Sequence, residues 1–517
     1  MSHSAEILEP ALKKCYKVHV PSTILIHLTE TITMRQSRRR FLKDAGLTAA
    51  TIATLPFDGC LRPGRRALSG RQKPNIIYIL ADDLGYGDLG CYGQERIGTP
   101  NLDRMAAEGM RFTQHYAGST VCAPSRCALM TGKHTGHCTV RGNVDVLMKP
   151  TERTVAKTLK EAGYSTTCIG KWGIGHPPPP EDPHDNGFDH FFGYLSMWHA
   201  HNYYPDFLWR NREKVPLRNA VQHPDKHYKE NQKNLVGLAS EKVDYSHDLF
   251  SEAALKFIEE KDRPFFLFVS YTIPHANNEA GQFGEHGMEV PDYGIYRDKK
   301  WPEPEKGKAA MISRMDRDIG RILTMLRENR IDEETLVMFS SDNGPHKEGG
   351  VKPDFLGSSG PLRGTKRDLY EGGIRVPMIA RWPGIVKAGS QCQHISAFWD
   401  ILPTFAELAG TSAPAGIDGI SMVPALLGKP QKQHEFLYWE FHEGSSKQAV
   451  RMGDWKAVRL APSRPIELYD LKSDIGERNN VADAHPDVVT KVEEILGTVR
   501  TDADLWPLKD KGGTMPF

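Results

Sequence analysis

Four short apolar runs punctuate the chain, at 75–81 (NIIYILA), 264–271 (PFFLFVSY), 335–341 (TLVMFSS) and 376–382 (VPMIARW). Each is continuous rather than alternating, the pattern of a strand buried on both faces in a parallel sheet. Helical spacing appears between them. Thr99-Pro100-Asn101-Leu102 opens a helix predicted to run to Glu108, and Met311, Met315, Ile319, Ile322 and Met325/Leu326 line one face of a longer one. Strands alternating with helices predict an α/β domain on a mainly parallel sheet. The texture changes around Gly428-Lys429-Pro430. Short strand-like runs at 435–441, 448–452, 455–460 and 466–469, then a helical pattern over 485–499, predict a small antiparallel sheet with a terminal helix. The expected organisation is a main, catalytic domain over 73–428 and a small C-terminal α+β domain over 429–517, with no internal repeat.

A chain of 517 residues has room for both and can bury a sizeable core. Its 39% hydrophobic and 25% charged residues are those of a soluble globular protein. Lys+Arg at 66 against Asp+Glu at 65 leaves a formal charge of +1, so no global field attracts nucleic acid or repels an anionic substrate. Affinity for anions must come from local placement of charge. The eight cysteines form no CxxC pair, which argues against a zinc knuckle or a disulfide framework.

Near the N-terminus, Ser37-Arg38-Arg39-Arg40-Phe41-Leu42-Lys43 precedes a mildly apolar stretch over 45–55 that is too short to span a membrane. This resembles a twin-arginine signal over 34–60 and implies export to the periplasm or beyond the cell; a basic surface helix is the alternative. Met34 opens such a signal by itself, so residues 1–33 read as an upstream extension. Cys60 is a candidate lipid-anchored cysteine, although Asp58 fits such a site badly. No other stretch of about 18 or more apolar residues exists, so no transmembrane segment is expected.

The chemistry centres on Cys122-Ala123-Pro124-Ser125-Arg126, followed by Leu129-Met130-Thr131-Gly132. Pro124 suits the first turn of a helix, which places residue 122 beside a helix N-terminus, where free N–H groups favour an anion. Asp82-Asp83 closes the first apolar run and Asp342-Asn343, with the turn residue Gly344, closes the third. Ligands of open α/β sheets gather at the carboxyl ends of strands, and four oxygen donors without Cys or His select Ca²⁺ or Mg²⁺ over zinc. Isolated dipeptides of this kind are ordinarily caps or turns; their strand-end position sets these apart.

Cys-x-Pro-Ser-Arg with Leu-x-Thr-Gly resembles the signature of the sulfatase family. Thr99-Pro100-Asn101-Leu102-Asp103, Gly163-Tyr164-Ser165-Thr166, Gly170-Lys171-Trp172 and Glu371-Gly372-Gly373-Ile374-Arg375-Val376-Pro377 resemble further blocks of that family, in order, over roughly residues 73–500. The resemblance implies an alkaline-phosphatase-like α/β sandwich that hydrolyses sulfate monoesters on a sulfated carbohydrate or an aryl sulfate. It implies that a formylglycine-generating enzyme oxidises Cys122 to formylglycine. One oxygen of the hydrated aldehyde attacks sulfur and expels the alcohol; loss of the other's proton then expels sulfate. Ca²⁺, with Mg²⁺ as the alternative, sits on Asp82, Asp83, Asp342, Asn343 and the converted residue 122. Arg126 holds the diol, Lys171 bridges nucleophile and sulfate, Lys366 binds sulfate, and His275 protonates the leaving oxygen. Singly, such lysines would be solvated surface charges; a dianionic transition state needs several convergent cations.

One position departs from the family pattern. Gly173 stands where many sulfatases carry a histidine after Gly-Lys-Trp, leaving His176, His137 or water to take that proton. On the rim, Trp198-His199-Ala200-His201-Asn202-Tyr203-Tyr204-Pro205 mixes flat aromatics with polar groups. His199 and His201 are candidate substrate contacts, with zinc binding and loop packing as alternatives; Arg141 and Asn143 are further candidates beside the nucleophile helix. Competing functions are a phosphonate or phosphodiester hydrolase using the same oxidised cysteine, and an inactive sugar-binding homologue with Cys122 unoxidised. The acidic pairs and His275 argue against the last.

Overall fold

The computed structural model describes residues 72–513 apart from 176–181, 225–231, 233 and 261–263. The twin-arginine motif, Cys60 and His176 lie outside the described residues. Ten strands form one sheet, in the order Ser390–Cys392, Met110–Phe112, Met378–Arg381, Thr335–Ser341, Asn75–Ala81, Phe265–Ser270, Ser165–Lys171, His190–Tyr194, Phe207–Arg210 and Glu213–Pro216. The five from Thr335–Ser341 to His190–Tyr194 run parallel. Every residue of Asn75–Ala81 and Thr335–Ser341 is buried, which explains the apolar run through the middle of each, with the polar Asn75, Thr335, Ser340 and Ser341 at the strand ends.

Alternation along these strands feeds two cores. Ile76, Tyr78 and Leu80, with Phe266, Phe268, Leu336 and Met338, pack toward the helices Cys122–Thr131, Val155–Glu161 and Ile401–Leu408. Ile77 and Ile79, with Leu267, Val269, Val337 and Phe339, pack toward Pro100–Glu108, Ser246–Glu260 and Glu303–Glu328. The result is a helix–sheet–helix sandwich.

The run at 376–382 departs from expectation. Its strand, Met378–Arg381, is antiparallel to Thr335–Ser341, pairing Ser340 with Met378 and Val337 with Arg381. A parallel partner needs a crossover that returns the chain to the other end of the sheet. Here residues 342–377 contain only the short helices Pro353–Leu356 and Glu371–Ile374, and the chain re-enters the sheet from the carboxyl end.

Leu437–Phe441, Lys447–Met452, Trp455–Arg459 and Ile466–Asp470 form an antiparallel meander. Tyr438, Val450 and Leu468 pack with Val492, Ile495 and Leu496 of the helix Pro486–Thr498. Trp439, Ala449 and Val458 join the first core instead, and the Trp439 indole N–H donates to the Ala117 carbonyl at 2.9 Å. Among the described residues, no helix is long and apolar enough to cross a membrane.

Candidate active site

The two central strands end side by side. Beyond them the Asp342 N–H donates to the Ala81 carbonyl at 3.1 Å, and the Asp83 N–H to Asp342 Oδ1 at 3.1 Å. Asp83 takes a left-handed backbone conformation, φ 64°, unusual without glycine. One oxygen each of Asp82, Asp83 and Asp342 lies within 4.8 Å of the others. Asn343 Nδ2 donates to Asp83 Oδ1 at 2.6 Å, while Asn343 Oδ1 and Asp82 Oδ1 are buried without any hydrogen-bond partner. Buried unmatched acceptors are costly. Together with three crowded carboxylates they fit a hard cation taking oxygen ligands. Burial and then the neighbouring Asp82 push Asp342 up to about 7. Burial, the largest single influence, would raise Asp82 and Asp83 too, but the surrounding cationic side chains, led by Lys171 for Asp82 and Lys366 for Asp83, together outweigh it and hold both low.

Cys122 is the first residue of its helix; the residue before it, Val121, is extended and supplies no side-chain cap. Asn143 fills that role: its Oδ1 accepts from the Ala123 N–H at 3.0 Å, and its Nδ2 lies 3.8 Å from Cys122 Sγ. Burial pushes the Cys122 thiol up, so the unconverted side chain is a thiol rather than a nucleophilic thiolate at neutral pH. One turn on, Arg126 reaches Asp342 Oδ2 through Nε at 3.0 Å and Nη2 at 2.9 Å, and the Lys171 carbonyl through Nη1 at 2.9 Å. Its guanidinium ties the nucleophile helix to the acidic strand end.

Lys171 Nζ lies 2.7 Å from Asp82 Oδ2. Lys366 Nζ sits among Asp83 Oδ2 at 2.8 Å, His275 Nε2 at 3.1 Å and Glu348 Oε2 at 3.1 Å. His275 Nδ1 donates to the Ala276 carbonyl at 2.6 Å, which turns Nε2 toward Lys366. Burial, and then Lys366, push this histidine down to about 3, so the ring is neutral. One atom each of Asp82, Cys122 and His275 also falls within 4.8 Å. The pocket over Cys122 is narrow, about 20 Å³, and Asn143, Trp198, His201, Asn278, Lys366 and Arg367 are among its walls.

The other sequence candidates land differently. His201 lines the pocket and stacks on His275, ring centroids 5.0 Å apart. His199 is buried against Tyr194 and Phe207, two residues away but outside the pocket wall. Arg141 is no pocket residue either: it binds Glu440 Oε1 at 2.8 Å and the carbonyls of Cys138 and Thr501 at 2.9 Å, fastening the C-terminal sheet. His137 pairs with Asp418 at 2.9 Å beside His134, which removes it as a proton acceptor at Cys122. Gly173 has φ 67°, and a Cβ there would lie 2.8 Å from Lys171 Cε, so the lysine fills the space where a side chain would start. Sequence reasoning missed Glu348, Arg367, Asn278 and Glu279. Each is a single polar residue in a loop, with no spacing signal; Glu348 alone had a hint, in the loop opened by Asp342-Asn343.

Comparison with known proteins gives the family. The family profile described as Sulfatase matches residues 74–411, and one described as N-sulphoglucosamine sulphohydrolase, C-terminal, matches 364–502. The N-acetylgalactosamine-6-sulfatase of Canis lupus familiaris is 33% identical over 76% of this chain and 73% of its own. The N-acetylgalactosamine-6-O-sulfatase of Bacteroides thetaiotaomicron is 30% identical over 83% and 94%. Among solved structures, Ps i-CgsB in complex with k-i-k-neocarrahexaose superposes with a TM-score of 0.69 at 30% identity, covering 82% of this chain and 92% of that one. With its alkaline-phosphatase-like sandwich and these relatives, the chain belongs to the sulfatase family, a sulfuric ester hydrolase.

Proposed function

We propose that this protein hydrolyses sulfate monoesters carried on a saccharide, with residue 122 converted to formylglycine and calcium held by Asp82, Asp83, Asp342, Asn343 and the converted residue. The observation that carries the reading is the pair of buried, unmatched oxygens on Asp82 and Asn343, in a cluster that also brings Cys122 Sγ within 4.8 Å of Asp82 and His275. A set of protein oxygens suits calcium better than magnesium, which keeps several of its waters. When present, the ion and the converted side chain supply charge neutralisation and a nucleophilic oxygen.

The chain's own residues do the rest. Lys171 and Lys366 hold the sulfate oxygens, each already charged and oriented by a buried aspartate. Arg126 fixes the helix that presents residue 122. His275, with Nδ1 pinned on the Ala276 carbonyl, turns Nε2 toward Lys366 Nζ at 3.1 Å, from which that nitrogen takes up the proton it passes to the leaving oxygen. The saccharide substrate follows from the relatives, which are N-acetylgalactosamine-6-sulfatases, and conversion by a formylglycine-generating enzyme with export through the twin-arginine motif completes the reading.

The test is a comparison of kcat/KM for N-acetylgalactosamine 6-sulfate, 4-nitrophenyl sulfate and bis(4-nitrophenyl) phosphate in wild type and Cys122→Ala. The sulfate esters are expected to lead, with the variant inactive on all three. A phosphodiester preference points to the phosphonate and phosphodiester hydrolases instead, and unchanged activity of Cys122→Ala sinks the mechanism.

A further inference from the structure

We infer that Arg367 is a specificity residue: its Nη2 donates to a neutral oxygen of the sugar that bears the scissile sulfate, a hydroxyl or a ring oxygen, and serves no second anionic group. This rests on the sulfatase reading above and specifies what the same pocket asks of the leaving alcohol.

Arg367 lines the pocket with Cys122, His275 and Lys366. Two carboxylates hold its guanidinium: Nε donates to Glu443 Oε2 at 2.7 Å, and Nη1 donates to Glu348 Oε1. The other oxygen of Glu348 accepts from Lys366 Nζ at 3.1 Å, so a single carboxylate separates the guanidinium from the lysine assigned to sulfate. The backbone is pinned as well. The Arg367 N–H donates to the Thr120 carbonyl at 3.1 Å, just ahead of the nucleophile helix, and the Arg367 carbonyl accepts from Lys447 Nζ at 3.0 Å. Its φ of 75° lies in the left-handed region that a side chain ordinarily avoids. Strain of this kind persists only where the surroundings over-determine it, and it gathers at ligand clamps.

These hydrogen bonds leave one nitrogen over. A guanidinium carries five N–H donors, and the bidentate fork is its strongest hold on a carboxylate. Here each carboxylate takes one nitrogen, and Nη2 makes no hydrogen bond among the described residues. Nor is it sealed in: the side chain is 33% exposed, and Nη2 is not one of the buried unmatched atoms. Because arginine stays charged, those donors are present at every working pH. The local charges decide what they meet. Arg367, Lys366 and Lys447 are balanced by Glu348, Glu443 and Asp83, so this corner supplies donors without a net positive field. A second sulfate or a carboxylate there faces Glu348 and Glu443, whereas a hydroxyl or ring oxygen accepts the N–H and brings no charge.

The probes are N-acetylgalactosamine 6-sulfate, its 4,6-disulfate, and phenyl sulfate, whose leaving alcohol has no oxygen besides the ester's. Their kcat/KM values are measured with wild type, Arg367→Met and Arg367→Lys. The lysine keeps a cation between the two carboxylates but has no planar fork, so it reports even if Arg367→Met fails to fold. Dividing the sugar-to-phenyl ratio of a variant by that of wild type cancels leaving-group differences and general damage to the site. That quotient is expected to fall roughly 10- to 100-fold, the size of one hydrogen bond from a charged donor, and wild type is expected to hydrolyse the disulfate less well than the monosulfate. A clamp that only holds structure lowers both substrates alike, so a quotient near unity in every variant that folds overturns the inference. A wild-type preference for the disulfate, or a wild type that hydrolyses phenyl sulfate alone, overturns it without any variant. If wild type hydrolyses none of the three, the sulfatase reading itself falls, a result distinct from a flat quotient.

Discussion

Replacing Gly173 with histidine should harm this protein. Gly173 has φ 67°, and a Cβ on it would stand 2.8 Å from Lys171 Cε, 3.0 Å from Lys171 Cγ and 3.3 Å from Arg126 Cδ. Two costs follow. A side chain in the left-handed region costs about 1–2 kcal/mol, which appears as lost stability. Lys171 must also move, and it is buried, with Nζ on Asp82 Oδ2 at 2.7 Å. Losing a hydrogen bond to a charged group costs about 1.5–3 kcal/mol. If that bond positions the lysine on sulfate, kcat/KM drops by roughly 10- to 100-fold at about 1.4 kcal/mol per decade. Gly173→Ala isolates the clash from the chemistry of an added imidazole. The assay is kcat/KM on N-acetylgalactosamine 6-sulfate, with urea melts in parallel; Gly173→Ala and Gly173→His should both fall, with matching losses of stability. Gly173→His with activity equal to or above wild type would refute the reasoning, because Lys171 would then have room to spare.

Three further perturbations test other parts of the structure. Lys456 lies 3.0 Å from Glu371 and 3.4 Å from Glu477, all three buried, so Lys456→Met leaves two carboxylates short of a cation. Burial already pushes Glu477 up to about 7, which eases its neutralisation and puts the expected loss near the low end for a broken buried pair, about 3 kcal/mol by urea melt. Glu440 is held at about 2, since His442, Arg141 and Arg500 outweigh the effect of its burial. A carboxyl with a depressed folded-state value stabilises fully above its ordinary range near 4.5 and loses that stabilisation as pH falls toward 2. Between pH 6 and pH 3 the stability gap between wild type and Glu440→Gln should therefore narrow by about 2 kcal/mol. A gap independent of pH would contradict that assignment. Chelation with EGTA should abolish sulfate ester hydrolysis and lower the melting temperature, and calcium should restore both in a concentration-dependent way; full activity after exhaustive chelation removes the cation from the account.

Much of this architecture was readable in advance because burial leaves a plain mark on sequence. The runs at 75–81 and 335–341 are apolar through their middles because both faces are covered, and the acidic pairs that end them meet because those strands are parallel neighbours. The run at 376–382 carried the same mark, yet apolar continuity says nothing of direction; the connection decided that. Arg141 and His199 were misplaced for a related reason. Nearness to a motif along the chain does not fix where a side chain points, and both turn into packing that only the folded chain creates, against Glu440 and against Tyr194 with Phe207. Glu279 and Glu348 were invisible because their importance lies in what they hold, His201 and Lys366, across 78 and 18 residues of sequence.

The most direct test of the central claim is the mass of the tryptic peptide spanning residues 112–126 from protein produced with a formylglycine-generating enzyme. Conversion of Cys122 replaces SH and one hydrogen by a carbonyl oxygen, so the peptide should be lighter than its cysteine form by roughly 18 Da, and the converted fraction should track specific activity from one preparation to the next. A fully active preparation in which the peptide retains an unmodified cysteine would contradict the account.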